Sequence, residues 1–384
     1  MTSRSEPYLE GELRVRELPR GESFRTFIQL AWTLNAKDPN WVPPLRRNVK
    51  AALERTHPFH RHADVAYFLA ERGSRTVGRI AAIVNHRHNE FHGDGVGFYG
   101  LFECYDDQAA ANALFDAAAE WLRARGCDCI RGPLNFSTNE ELGSPGILIE
   151  GFDSRPAIMM SHNPPYYEQL HERAGFEKSK DLVAIHFADA RTMPEWGAQS
   201  EDAVLRRYDA RIRSVDLSRF EEEVETIKRV YNAAWSLNWG FVPVTDEEFD
   251  LIAREFRPIV DPDLCLIAEV RGEAVGFSLA LPDMNEVLAR IPDGRLFPLG
   301  LLKFLWYRRK VESLRLITFG FKPPYQHAGL GLGFYFRTWR TAAVRGYARG
   351  EASWILEDNF KMIRPLERMG GSVHRRYRIY ERRL

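Results

Sequence analysis

Apolar positions recur along this chain in two rhythms, a period near two that marks strands and a period of three to four that marks helices. In the second half, Ile212–Val215 reads as a strand and Phe220–Asn232 as an amphipathic helix. Cys265–Val270 and Val275–Leu281 read as strands around Arg271-Gly272-Glu273, a tight hairpin signal. A strand at Leu314–Phe319, a helix at Gly331–Arg345, a strand at Ala352–Leu356, a short helix at Met362–Met369 and a closing strand at Val373–Tyr380 follow. The first half runs through the same order. It has a strand at Phe98–Cys104, a helix at Ala110–Arg125 with Leu114, Ala118, Trp121 and Leu122 on one face and Gly126 as a left-handed stop, and a closing strand at Asp181–His186. The pattern predicts a mixed α/β protein.

The two halves also match residue by residue. Ala31-Trp32-Thr33-Leu34-Asn35, followed by Trp41-Val42-Pro43, returns as Ala234-Trp235-Ser236-Leu237-Asn238 followed by Phe241-Val242-Pro243. Ala70-Glu71 leads into Val77-Gly78-Arg79-Ile80-Ala81, and Ala268-Glu269 leads into Val275-Gly276-Phe277-Ser278-Leu279, at the same spacing. Two matches in the same order indicate a duplicated unit. The boundary is expected near residues 188–205, where periodicity fades around Pro194 and Gly197, giving domains at 1–190 and 205–384.

Composition narrows the class. The 384 residues suit two domains, and 45% apolar with 12% aromatic residues exclude a disordered chain. A charged fraction of 28% without a long apolar run excludes a multi-span membrane protein. Fifty-three basic and fifty-three acidic side chains cancel, which removes the positive field of a dedicated nucleic-acid binder. Four cysteines without a Cys-x-x-Cys pair, and an opening Met1–Glu6 without an apolar stretch, point to a reducing, cytoplasmic home. His57, His60, His62, His86, His88 and His92 lack the spacing of a zinc site and read as surface residues; no metal is expected. No Gly-x-Ser-x-Gly elbow is present. Arg375, Arg376, Arg378, Arg382 and Arg383 read as a solvated basic strand edge, with coenzyme phosphates or an anionic membrane as the alternative.

The most informative segment is Gly320-Phe321-Lys322-Pro323-Pro324-Tyr325-Gln326-His327-Ala328-Gly329-Leu330-Gly331-Leu332-Gly333, between a strand and a helix. A diphosphate at a helix N-terminus needs bare backbone N–H groups, and glycine keeps side chains out of the way. Close helix–strand packing is the other use of such glycines. Gln326-x-x-Gly329-x-Gly331 after the fourth strand resembles the turn of the GNAT acyltransferase superfamily that holds the coenzyme A pyrophosphate, and the likeness covers residues 205–384. The resemblance implies two tandem GNAT-like domains, each a mixed, mostly antiparallel sheet with splayed central strands. It also implies acyl-CoA as co-substrate, held by Phe319, Phe321, Gln326, Ala328, Gly329, Leu330 and Gly331. Asn359, ending the next strand, matches the residue that contacts the coenzyme arm, although Asn also suits a helix N-cap. Many members carry a Tyr as general acid four residues before the following glycine; here Leu366 stands there.

The first half has Tyr105-Asp106-Asp107-Gln108 where the glycines would be, and two carboxylates repel a diphosphate. That half is expected to bind no coenzyme, although a degenerate half can still shape an acceptor pocket. Arg131–Asn139 reads equally as substrate contact or as a turn. In the second half, Arg295–Lys310 is an apolar insertion closed by three cations. It is too short to span a bilayer as a helix of ~20 residues, and suits a core helix, a headgroup-layer contact or the wall of a tunnel for a long chain. With the duplicated layout, it resembles the bacterial ceramide synthases, tandem acyltransferases that N-acylate long-chain bases.

The expected activity is therefore transfer of an acyl group from acyl-CoA to an amine, with Glu357 as base and Tyr325 as acid. Asn238, Trp239, Phe297, Leu302 and Trp306 are assigned to the substrate. Peripheral contact with the inner membrane is part of this reading. Aminoacyl transfer, as in tandem peptidoglycan-bridge enzymes, fits less well because those lack the glycine turn. A non-catalytic acyl-CoA sensor, which Leu366 favours, and a small-amine acetyltransferase are the remaining alternatives.

Overall fold

The computed structural model describes residues 11–137, 143, 145–191, 196–236 and 238–384. The sequence-predicted turn residues Thr138 and Asn139, the linker residues Thr192–Glu195, and Leu237 of the repeat lie outside the described residues. The chain forms two compact units. The first comprises Met1–Leu182, Leu288–Leu302 and Arg375–Leu384, and the second Val183–Val287 and Lys303–His374.

The strands are β1 (Leu13–Glu17), β2 (Ala63–Arg72), β3 (Arg75–Asn85), β4 (Val96–Cys104), β5 (Cys129–Gly132), β6 (Ile147–Glu150) and β7 (Glu177–Phe187), then β8 (Ala210–Ser214), β9 (Cys265–Val270), β10 (Glu273–Pro282), β11 (Ser313–Phe321), β12 (Arg349–Leu356) and β13 (Ser372–Arg383). In the first unit, β1 through β4 are antiparallel neighbours, and β4 pairs parallel with β5. From Arg375 onward, β13 belongs to this unit, pairing with β5 through Tyr380↔Gly132 and with β6 through Tyr377↔Leu148. The expected closing strand of the second half thus completes the first unit, while β7 gives Val183–Phe187 to the second. The expected basic edge is correspondingly ion-paired: Arg378 meets Asp181 at 2.8 Å, Arg376 meets Glu150 at 3.3 Å, and Arg375 is fully buried.

The first unit packs its sheet on the helix Gln108–Arg123, which buries Leu114, Phe115, Ala118 and Leu122. It ends as the sequence indicates, with Gly126 at φ +80° and the Cys127 N–H donating to the Leu122 carbonyl. The histidines are not all surface residues: His88 is buried against Phe98, and burial lowers its pKa to about 4. Among the described residues no group of His, Cys, Asp and Glu side chains suited to a metal ion is found.

In the second unit β8, β9, β10 and β11 are antiparallel neighbours, and β11 pairs parallel with β12. The helix Gly331–Arg345 covers one face, burying Phe334, Phe336, Trp339 and Ala342, and stops at Gly346 with φ +84°. The helix Phe220–Trp235 covers the other through Val230, Tyr231 and Trp235 on Phe277. The repeated glycine of the hairpins marks a close approach: a Cβ on Gly276 would lie 2.4 Å from Phe321, and one on Gly78 2.7 Å from Leu114. Two of the longer helices of this unit are among those that escape the sequence reading. Trp196–Tyr208 occupies part of the expected linker and packs Leu205 beside Ile212, and Asp246–Phe256 starts with a Thr245/Glu248 capping box.

Candidate active site

The site is set by how β11 and β12 part. Their parallel pairing spans Ser313↔Arg349 to Leu316↔Ala352 and stops, although β11 continues to Phe321 and β12 to Leu356. On the other side of β11 the register slips between Leu279↔Thr318 and Ala280↔Leu316, leaving Ile317 without an opposite residue. Such a bulge re-aims the strand and opens a gap between neighbours. The glycine turn follows the C-terminal end of β11, and Glu357-Asp358-Asn359 follows that of β12. The parting strands therefore bring both motifs to one edge of the sheet, where ligands bind in α/β sheets.

At this edge the helix Gly331–Arg345 begins without a side-chain cap and with no acid in its first turn. Among the described residues, no acceptor holds the backbone N–H groups of Gly329, Leu330 or Gly331, so the positive end of the helix is open. Gly329 is exposed with φ +75°, a conformation that most side chains resist. A Cβ on Gly331 would press Phe319 at 3.3 Å. Gly333 is a packing glycine, since a Cβ there would lie 2.4 Å from Ile212. Gln326 donates its Nε2–H to the Ala234 carbonyl at 3.1 Å, tying the turn to the preceding helix. Phe321 stacks on Phe334 at 4.9 Å and Leu330 is buried, so both are core residues beneath the turn, while Ala328 is half-buried at its surface.

Asn359 occupies the N-cap position of the helix Phe360–Arg368, yet its side chain makes no cap hydrogen bond. Among the described residues its carboxamide is uncommitted. Glu357 lies half-buried on the turn after β12, and Tyr325 half-buried on the turn after β11. Leu366 is buried in the core and offers nothing to the cleft. Asn238 is exposed and Trp239 half-buried, just past the helix Phe220–Trp235. On the insertion Phe297 (71%), Leu302 (65%) and Trp306 (64%) are solvent-exposed, which removes the core-helix reading. A separate cavity of about 770 Å³, lined by Arg211, Arg213, Asp216, Glu223 and Arg337 among others, shares no residue with the glycine turn.

The first unit has the same layout in a closed state. Its β4 and β5 also part, after Phe98↔Arg131, but the following segment fills the gap: Leu134 N–H donates to Tyr99 O at 2.7 Å, and Leu101 N–H to Asn135 Oδ1 at 2.8 Å. Arg131 and Gly132 end β5, and the described residues that follow, from Pro133 to Ser137, fold back over the gap. The helix start is closed as well. Asp107 caps it, accepting from Ala110 N–H at 3.1 Å, and is held by Arg72 at 2.6 Å. The expected repulsion is therefore joined by a stronger obstacle, because the buried Asp107 already occupies the donors a phosphate would use.

The duplicated layout, the parted strands and the open glycine turn can be compared with known proteins. A protein from Caulobacter vibrioides described as a bacterial ceramide synthase is 37% identical over 385 residues, covering 97% of this chain and 98% of that one. The chain belongs to the bacterial ceramide synthase family. Protein YghO of Escherichia coli is 34% identical over 379 residues, covering 96% and 95% of the two chains. Among solved structures, a tandem GNAT protein from the clavulanic acid biosynthesis pathway superposes over 97% of this chain and 98% of its own, with a TM-score of 0.56 at 12% identity. No family profile matches the chain. The GNAT fold, its tandem form and the acyltransferase class expected from the sequence are thereby borne out. The fold implies acyl-CoA as co-substrate, and the open turn between the parted strands fits it. Among the described residues, no helix is long and apolar enough to cross a membrane.

Proposed function

We propose that this chain transfers a long-chain acyl group from acyl-CoA to a long-chain, sphingoid-like amine. The observation that carries this reading is the match to a bacterial ceramide synthase along nearly the whole of both chains. The coenzyme diphosphate rests on the backbone N–H groups of Gly329–Gly331, with Phe319, Phe321, Gln326, Ala328 and Leu330 shaping the turn. The pantetheine arm runs between β11 and β12 beside Asn359. The first unit, with its helix already capped, binds no coenzyme. The exposed insertion, with Phe297, Leu302 and Trp306 ahead of Arg308, Arg309 and Lys310, meets the inner membrane and takes long chains from it.

In the reaction the neutral amine nitrogen attacks the thioester carbonyl carbon. A C–N bond forms, the C–S bond breaks, the nitrogen loses one proton and the sulfur gains one, so acyl-CoA and amine give amide and coenzyme A. Tyr325 is offered for the thiolate proton because Leu366 has none. For the amine proton the sequence offers Glu357. The test is thiol release from palmitoyl-CoA with and without sphinganine, followed by a series of shorter donors and amines. Amine-dependent release that grows with chain length is expected. Tight binding without release would make the protein a sensor, and a preference for acetyl-CoA with small amines would make it a small-amine acetyltransferase.

A further inference from the structure

A buried polar network lies at the root of the cleft, on side chains that the glycine turn and Asn359 do not involve. Arg315 and Glu351 face each other across the parallel pair β11 and β12, one rung before it ends. Arg315 is 2% exposed and donates from Nε to Ser353 Oγ at 2.8 Å and from Nη2 to the Ser353 carbonyl at 2.9 Å. Ser353, the first residue of β12 past the last paired rung, donates its hydroxyl to Glu351 Oε1 at 2.5 Å. The other oxygen, Glu351 Oε2, lies 2.8 Å from His374 Nε2 on β13, and the His186 ring of β7 lies 5.1 Å from the His374 ring.

Strand alternation gives this network a direction. Leu314, Leu316, Ala352, Ile185 and Phe187 belong to the core beneath the helix Gly331–Arg345. Their neighbours Arg315, Glu351, Ser353 and His186 therefore point to the opposite face. That is the face of Gly320, where a Cβ would meet Trp235, and hence of the helix that leads to Asn238 and Trp239. A buried carboxylate set this carefully is unusual without a purpose, since burying charge costs several kcal/mol. Burial pushes Glu351 up, but His374, Ser353 and the Arg315 charge outweigh it and hold its carboxyl below the ordinary range. An ionised Glu351 only accepts hydrogen bonds, so His374 donates its Nε2–H, and in the neutral imidazole Nδ1 is then the nitrogen with the lone pair. That side chain is 24% exposed, and through Glu351 it stands on the face of Ser353, the residue at which β12 leaves β11.

Resting on the acyl-transfer reading above, we propose that His374 is the general base for the amine and that Glu351 is its positioning residue, anchored by Ser353 and Arg315. His374 Nδ1 takes the proton that the nitrogen loses as the C–N bond forms, and returns it to solvent or to the departing thiolate. Among the described residues, the charged and titratable groups of this network are Arg315 on β11, Glu351 and Arg349 on β12, His186 on β7 and His374 itself on β13.

The test compares full-length wild type, His374→Gln, Glu351→Gln and Glu357→Gln, using palmitoyl-CoA and sphinganine. His374→Gln should lower kcat by about a hundredfold or more while leaving the Kd for palmitoyl-CoA unchanged, and should abolish the acidic limb that the wild-type rate–pH profile shows below the one set by protonation of the sphinganine amine. Glu351→Gln should keep that limb but move it to lower pH, because the imidazolium loses its counter-charge. A folded His374→Gln enzyme with wild-type kcat and limb would overturn the proposal, as would loss of activity confined to Glu357→Gln. If His374→Gln fails to fold, Glu351→Gln decides: wild-type kcat and an unmoved limb in that folded variant would refute the proposal. Wild type that releases no thiol with any amine would instead refute the acyl-transfer reading itself.

Discussion

Placing a carboxylate at Gly329 tests the coenzyme turn with its own control. At φ +75° most side chains are strained, but Asn and Asp tolerate the left-handed region better than others, and the nearest atom to a Cβ there is Val204 Cγ2 at 3.9 Å. Gly329→Asn and Gly329→Asp therefore share the same small backbone strain and the same room, and differ by one charge. A carboxylate ~4 Å from a phosphate is repelled by about 1 kcal/mol in water, and by about 4 kcal/mol at an effective dielectric constant of 20. The Asp variant should bind coenzyme A about fivefold to about a thousandfold more weakly than the Asn variant, and nearer the lower figure because the turn is exposed. It would also compete for the open N–H groups, as Asp107 does at the first unit's helix. Calorimetric titration with coenzyme A at low salt and at 1 M salt is the assay, and the gap should shrink at high salt, where the Debye length is about 3 Å. Equal affinity of two folded variants would refute the placement of the diphosphate on this turn.

Three further outcomes follow from the same geometry. Calorimetry on wild type should give one coenzyme site per chain, and two equal sites would contradict the closed first unit. Glu in place of Leu302, which is 65% exposed, should change stability by no more than about 0.5 kcal/mol and leave short donors alone. It should erase the gain of up to ~0.8 kcal/mol per methylene expected along a donor series, and a series flat in wild type would remove the long-chain reading. Asp107→Ala should cost about 2–4 kcal/mol in chemical denaturation, because it removes a cap and strands Arg72, which is 15% exposed. Burial raises the Asp107 pKa, but Arg72 and the helix N–H groups outweigh it, so the folded value lies below the unfolded one. The stabilisation is thus complete above pH ~4 and fades as pH falls through the folded value, so the gap between variant and wild type should close in acid. A gap unchanged with pH would assign the loss to packing alone.

Much of this arrangement is legible in the sequence because it is local. The helix Gly331–Arg345 is read to the residue, since its apolar stripe runs from a glycine turn to the left-handed stop at Gly346. The hairpins are legible for the same reason: alternation and an intervening turn occupy adjacent residues. What escapes is set by partners distant in the chain. The closing strands at Asp181–His186 and Val373–Tyr380 look alike as strands, and nothing in their own residues says that β13 from Arg375 onward belongs to the first unit. The cap at Asp107 is a local signal that the sequence carries, through Ala110 three residues on, but its ion pair with Arg72, 35 residues away, is not. Glu351 and His374 stand 23 residues apart on strands whose alternation merely reads as mixed, and only the sheet order joins them. The capping box at Thr245-Asp246-Glu247-Glu248 is a signal the sequence did carry and that would have located the helix Asp246–Phe256.

The central claim, that one open glycine turn serves acyl transfer to a long-chain amine, is tested most directly by product stoichiometry. Purified protein is incubated with palmitoyl-CoA and sphinganine, and mass spectrometry counts amide, free coenzyme A and free palmitate in the same samples. Equal molar amounts of amide and coenzyme A, little free palmitate, and loss of amide in Gly329→Asp but not in Gly329→Asn are predicted. Coenzyme A matched by free palmitate with no amide, or amide formed equally well by Gly329→Asp, would contradict the account.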